Sequence, residues 1–336
     1  MLHTLKSFFV PIQAPPAPTD VIPVSVNWFP NRQCNYECTF CFHTSKNSFI
    51  LPLDQAKEAL RALADAGMRK LNISGGEPFL HPAYLGEVFK FCKEELGLES
   101  TSVVNNGSKV TEKWLDQYGP HLDIMAISCD TFEVDTDLKH GRAENGKPTH
   151  IRRVFEVVQW CKERGIRVKL NSVITKHNFE EDMNASIGEL APFRWKVFQV
   201  LLLEGENDGA ENGALRDARD LLITKDQFQS FLDRHKEQTC LVPEDNDAMK
   251  DSYLLLDEDK VLHRKRRHLR VSVGYYTASI KIYRHICAFV SDTEDWNRSK
   301  AATDDKPLAT PNALSDVPVA DGHRVLVRHS TSSEFE

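Results

Sequence analysis

Between about residues 21 and 203 the chain alternates strand-like and helix-like runs six times, which constrains its fold more than any other feature. The strand-like runs are Val24–Phe29, Arg69–Ser74, Ser100–Val104, Asp123–Ser128, Ile166–Val173 and Arg194–Leu202. The first helix-like run reads DQAKEALRALADAG, with Ala56, Ala59, Leu60 and Leu63 on one stripe and Gly67 as its stop. Others fall at about 83–96, 111–118, 150–165 and 180–190. Strand–helix units in series predict an α/β fold with a parallel sheet and right-handed crossovers, most simply a barrel or part-barrel. Residues 204–260 read as a mostly helical extension or cap. Residues 1–20 read as a flexible, proline-rich leader. From 261 the chain changes character: HRKRRHLR is a basic run, 271–290 has strand-like stretches, and 291–336 is Ser/Thr/Asp-rich and expected to be partly disordered.

Parallel strands covered by helices on both faces normally read as continuous apolar runs. Here several alternate instead. Lys70, Asn72 and Ser74 oppose Leu71 and Ile73; Lys169 and Asn171 oppose Val168 and Leu170; Arg194 and Lys196 oppose Trp195 and Val197; Ser25 and Asn27 oppose Val24, Val26 and Trp28. With the apolar faces on helices, the polar faces point into the barrel. Inward cations at Lys70, Lys169, Arg194 and Lys196 need anionic company, because burying unpaired charge costs several kcal/mol each. Those strands offer few inward carboxylates. A ligand with about four negative charges, such as a nucleoside triphosphate, meets the need, with Asn171 bridging ribose and phosphate. Protein carboxylates are the alternative. The net charge of −7 argues against a generic nucleic-acid-binding surface.

Just past the first strand, Cys34, Cys38 and Cys41 form C-x3-C-x2-C. Three thiolates on one loop can hold three irons of a 4Fe-4S cluster and leave the fourth iron open. Zinc, with His43 as fourth ligand, and three buried structural cysteines are the other readings. Eight cysteines, three of them bunched, fit a reducing compartment better than a disulfide framework. Gly75-Gly76-Glu77-Pro78 follows the second strand, Asn106-Gly107-Ser108 the third, and Ser128 and Asp130 end the fourth. Glycines there let backbone come close to a ligand. A plain turn is the alternative, as turn capping is for Asn106 and Ser108, and a solvated loop for Arg142.

The spacing C-x3-C-x-aromatic-C resembles the signature of radical S-adenosylmethionine (SAM) enzymes. The longer strings CNYECTFCFHTSKNSF, ISGGEPFL, AISCD, VKLNSVI, RWKVFQVLLLEGEN and MKDSYLLLDE resemble the viperin family over about residues 20–260. The resemblance implies a radical SAM partial (β/α)6 barrel with a C-terminal extension. It implies SAM on the open iron, reductively cleaved, with Gly75, Gly76, Glu77, Asn106, Ser128 and Arg142 as SAM contacts. It implies dehydration of a ribonucleoside triphosphate, CTP or UTP, to its 3′-deoxy-3′,4′-didehydro analogue in antiviral defence. It further implies an electron donor such as a flavodoxin and its reductase, and a hydrogen or proton relay at Tyr253.

Gln199, Glu204, Glu206 and Asn207 follow the last strand and either line this site or cap the barrel. The absence of an amphipathic helix before residue 20 leads to the expectation of no stable membrane anchor and a cytoplasmic location. After Asp259 the resemblance stops abruptly; a shifted reading frame or splice boundary would account for it. Another radical SAM reaction on a nucleotide or peptide, or a non-catalytic nucleotide-binding scaffold, are the competing functions.

Overall fold

A computed structural model describes residues 23–44 and 49–246, with two-residue strand segments at 255–256, 262–263, 272–273 and 276–277. The leader, Tyr253 and most of the tail lie outside the described residues.

All six expected strands form: β1 (Ser25–Trp28), β2 (Lys70–Ile73), β3 (Ser100–Asn105), β4 (Ile124–Ser128), β5 (Arg167–Ile174) and β6 (Arg194–Gln199). They pair parallel in chain order. Each is returned by helix: α1 (Leu53–Asp65), α2 (Pro82–Glu94), α3 (Glu112–Tyr118), α4 (Val134–Lys139), α5 (His150–Glu163) and α6 (Asn184–Leu190). In α1 the buried residues are Ala56, Leu60 and Leu63, the spacing of one helical face. Gly67, at φ +103°, ends it as expected. Thr111 caps α3 by accepting a hydrogen bond from Trp114 N at 3.2 Å. α4 carries no apolar stripe; its Val134 and Leu138 are exposed, so periodicity did not announce it.

The extension differs from the mostly helical cap that was expected. It holds one α-helix among the described residues, α7 (Lys225–Arg234), set by a Thr224/Gln227 capping box. β7 (Leu241–Glu244) then pairs parallel with β6. β8 (Leu255–Leu256) pairs parallel with β1 at the far edge, and β9 (Leu262–His263) lies antiparallel to β8. The sheet order is β7-β6-β5-β4-β3-β2-β1-β8-β9. The run β1–β7 is seven parallel strands curled into a half-barrel. LVPE is short and contains Pro243, so it carries no strand signal alone; pairing with β6 makes it a strand.

The two-faced reading of the strands holds. Val103, Met125, Ile127, Val168, Leu170 and Trp195 belong to one core with the helices. On the other face Val104, Ala126, Lys169 and Arg194 stand side by side in register. The layer above holds Ser128, Asn171 and Lys196. Nearer β1, Asn72 donates to Asn27 at 3.2 Å and accepts from Ser102 at 2.7 Å. The lumen therefore carries Asn, Ser, Lys and Arg beside Val104 and Ala126, where small barrels usually pack Val, Ile and Leu throughout.

Gly86 on α2 lies against the Tyr118 ring at the end of α3; a methyl there would come within 2.4 Å of it. Gly86→Ala should destabilise the protein by about 1–3 kcal/mol through overpacking. Thermal unfolding reads this as a fall of several degrees; an unchanged midpoint would show that the ring yields freely.

Candidate active site

An open cavity lies at the C-terminal ends of the strands. Cys34, Cys38 and Cys41 line it, as do Gly75, Gly76, Glu77, Asn106, Ser128 and Arg142. All nine residues expected to hold the cluster and SAM thus line one cavity. The rest of the lining is largely apolar: Phe29, Phe40, Phe198, Val200 and Leu201.

Residues 29–44 contain no helix or strand, so other elements must hold the cysteine loop. The GGEP turn grips one side: Gly76 N donates to Asn31 O at 2.9 Å and Glu77 N to Gln33 O at 2.7 Å. A Cβ on Gly76 would lie 1.8 Å from Gln33 O, and Gly75 has φ +116°. The glycines therefore serve first to let two stretches of backbone touch, rather than only to admit a ligand. The other side rests on the segment after α4, where Glu37 N donates to Gly141 O and Thr39 N to His140 O. Asn207, after β6, donates to Phe40 O at 2.9 Å and so acts as a clamp.

Glu77 was expected to contact SAM, but its carboxylate already accepts Phe79 N at 2.9 Å and Asn106 N at 2.7 Å. It ties the GGEP turn to the end of β3. Burial pushes its pKa up to about 7, against the pull of those two N–H groups. Asn106 closes its own turn with Ser108 and also donates to Asn35 Oδ1 at 3.0 Å, so turn capping and loop holding coincide. Ser128 is held at the cavity through its carbonyl, which accepts from His150 Nε2 at 2.9 Å; Asp137 holds the opposite ring nitrogen. Arg142 is buried, not a solvated loop residue. Its Nε donates to Asp130, and its guanidinium lies 5.7 Å from the Phe40 ring centre.

The thiols suit a metal cluster. Loss of water pushes the Cys38 thiol up to about 12 and raises Cys41 as well. Thiolates there need strong positive charge, which cluster irons supply. Among the described residues no three His, Cys, Asp or Glu side chains converge on one ion position. A cluster that gives each thiolate its own iron fits this donor set.

The comparisons agree with the geometry. The Radical SAM superfamily model matches residues 28–190. The S-adenosylmethionine-dependent nucleotide dehydratase RSAD2 of Oncorhynchus mykiss is 52% identical over 238 residues, covering 70% of this chain and 68% of that protein. The same-named protein of Danio rerio is 53% identical, covering 70% and 66%. The S-adenosylmethionine-dependent nucleotide dehydratase of Flammeovirga pacifica is 35% identical, covering 71% and 81%. The chain belongs to the S-adenosylmethionine-dependent nucleotide dehydratase family. In fold it also resembles native anSMEcpe with bound AdoMet (TM-score 0.58, 14% identity, covering 72% of this chain and 74% of that one). SuiB of Streptococcus suis bound to S-adenosylmethionine is similar too (TM-score 0.54, 17% identity, covering 72% and 60%).

In this dehydratase-family chain the five residues expected to bind triphosphate lie apart from the cysteines. None of Lys70, Lys169, Asn171, Arg194 and Lys196 is among the cavity's lining residues. Asn171 and Lys196 share the strand layer of Ser128, Lys169 and Arg194 lie one layer below, and Lys70 begins β2. The expectation of few inward carboxylates fails for Lys196, whose ammonium bonds Glu244 on β7. The strand unseen in the sequence supplies the missing charge. Asn171 is 2% exposed, and neither atom of its amide has a hydrogen-bond partner among the described residues. Gln199 lines the cavity, Glu206 pairs with Arg32 at 3.2 Å, and Asn207 is structural. Sequence reasoning missed His140, His150 and Asp137; no spacing links them, and only the fold gathers them behind the cysteine loop, where His150 packs against the Tyr36 ring.

Two outcomes follow. Gly76→Ala should cut the iron bound on reconstitution severalfold, because the cysteine loop loses its seat; normal iron content in a folded variant would refute that role. Glu77 has a folded pKa above its unfolded value of about 4.5, so the folded state holds the extra proton between about pH 4.5 and 7 and loses stability as pH rises through that window. His140, lowered by burial to about 4, works the other way and gains stability with pH up to about 6.5. In the metal-free protein, Glu77→Gln should therefore gain stability relative to wild type from pH 4.5 to 7, by about 3 kcal/mol at most. Parallel denaturation curves across that range would contradict it.

Proposed function

We propose that this chain cleaves SAM reductively and dehydrates a ribonucleoside triphosphate, CTP or UTP, to its 3′-deoxy-3′,4′-didehydro analogue. The observation carrying this reading is the gathering of three cysteines, the GGEP turn, Asn106, Ser128 and Arg142 around one cavity at the strand ends. Relatives named as nucleotide dehydratases support it. A 4Fe-4S cluster held by Cys34, Cys38 and Cys41 would supply the electron that splits SAM to a 5′-deoxyadenosyl radical.

The residues supply position and dryness. Asn106, Ser128 and Arg142 orient SAM's polar ends, while Phe29, Phe40 and Phe198 keep water from the reacting centre. Lys169, Arg194 and Lys196 give the lumen below its positive charge, and Asn171 offers an amide between them and Ser128. Lys70 contributes from the start of β2. The sugar then lies toward the SAM end and the phosphates lie deeper. Removal of the C4′ hydrogen, loss of the 3′-hydroxyl as water, and uptake of one electron and one proton leave the C3′–C4′ double bond. Tyr253, outside the described residues, is the proposed hydrogen or proton donor near the sugar. The second electron calls for a reductase partner of flavodoxin type. The cysteine usage and SAM radical chemistry fit a reducing, cytoplasmic setting in antiviral defence. Among the described residues no helix is long and apolar enough to cross a membrane.

Anaerobic incubation with SAM, a reductant and each of the four ribonucleoside triphosphates should give 5′-deoxyadenosine and, with CTP or UTP, a product lighter by one water. SAM turnover with every nucleotide left intact would point to another radical reaction. Neutralising Lys169 and Arg194 together should weaken triphosphate binding by about a hundredfold or more, two charge-assisted contacts being lost. Unchanged affinity would remove the lumen as the phosphate site.

A further inference from the structure

Asp130 lies at the end of β4, fully buried, and its atoms are engaged on three sides. One carboxylate oxygen accepts Val173 N from β5 at 2.9 Å, the other accepts Arg142 Nε, and its carbonyl accepts Asn178 Nδ2 at 2.6 Å. Arg142 is fixed at its other end as well. Its backbone N–H donates to Asp137 O at 3.1 Å, and Gly141 before it, at φ +74°, is pressed against Glu37 of the cysteine loop. A guanidinium carries five donors in a rigid fork. Among the described residues only Nε is hydrogen-bonded and the terminal nitrogens have no hydrogen-bond partner, although the residue is just 7% exposed and lines the cavity.

We propose that Asp130 is the positioning residue for Arg142: by taking the Nε edge it leaves the terminal edge of the fork for the carboxylate of SAM. The inference rests on the SAM-binding reading of the cavity. A buried ion pair of this kind is weak evidence for stability, since well-packed apolar side chains often serve as well. Its value lies in orientation, because a fork already aimed at an anion loses less freedom when the anion arrives. Phe40 completes the mount, so one chain of contacts runs from the sheet through Asp130 and Arg142 to the loop that carries the cysteines. Asp130 itself is held below the usual carboxylate range: burial pushes it up, but Arg142 and the Val173 N–H outweigh that.

The test is a double-mutant cycle on the full-length, iron-reconstituted protein, with SAM as the probe. Asp130→Asn keeps the volume and an oxygen for Val173 N–H, so iron content should stay near wild type. SAM affinity by equilibrium dialysis should fall about tenfold or more. Arg142→Gln should weaken binding at least as far, and the double variant should bind no more weakly than Arg142→Gln alone, because Asp130 acts only through Arg142. Asp130→Asn binding SAM as wild type does, or more tightly, would overturn the proposal, and so would losses that multiply in the double variant. Should Asp130→Asn fail to fold, Arg142→Lys decides: it keeps the charge but not the fork, and wild-type affinity there would overturn the orientation argument. Wild-type protein that loads iron yet ignores SAM would instead overturn the site reading beneath it.

Discussion

Backbone contact between the GGEP turn and the cysteine loop is the constraint on which the site depends. The loop has no regular structure to hold three sulfurs in place. Two hydrogen bonds, from Gly76 and Glu77 to Asn31 and Gln33, seat it on the end of β2. They form only because Gly76 has no side chain. Glu77 then reaches back to the amide of Asn106, so the ends of β2 and β3 and the cysteine loop become one unit. His140, Gly141 and Asn207 close the remaining sides. Much of what looks like ligand-binding machinery in the sequence is also the scaffold that keeps the cysteines together.

The half-barrel explains why such a site can exist in a chain of ordinary composition. A closed small barrel fills its lumen with branched apolar side chains. Here the apolar faces of the strands turn outward to the helices, and the inward faces carry Asn, Ser, Lys and Arg. Placing polar groups there is unfavourable unless they find partners. Some find each other, as Asn27, Asn72 and Ser102 do, and Lys196 finds Glu244. Asn171 keeps its bonding capacity, next to the strand ends where the cavity opens.

The six strands and five of the helices were legible because their patterns are local: alternation along β2, β5 and β6, a stripe along α1, glycines at turns. The cysteine site was legible because its residues sit in tight sequence clusters. β7 was not, since LVPE becomes a strand only when β6 offers it an edge. For the same reason the charge balance in the lumen was misjudged, Glu244 being on that strand. The contacts within the layer behind the cysteines were not legible either, although Asp130 and Arg142 had themselves been singled out. Asp130, Asp137, His140, Arg142 and His150 span a loop, a short helix without an apolar stripe, and the start of another helix; only the chain's path through space makes them neighbours. Glu77 stands at the cavity, but its two bonds to backbone N–H groups could not be read from GGEP.

The central claim is that Cys34, Cys38 and Cys41 carry a cluster with one iron open to SAM. Electron paramagnetic resonance of the reduced, anaerobically reconstituted protein tests it most directly. The account predicts a 4Fe-4S signal that changes on adding SAM and vanishes when any of the three cysteines is replaced by alanine. A colourless, iron-free protein, or one that takes up a single zinc ion at these thiols, would contradict it.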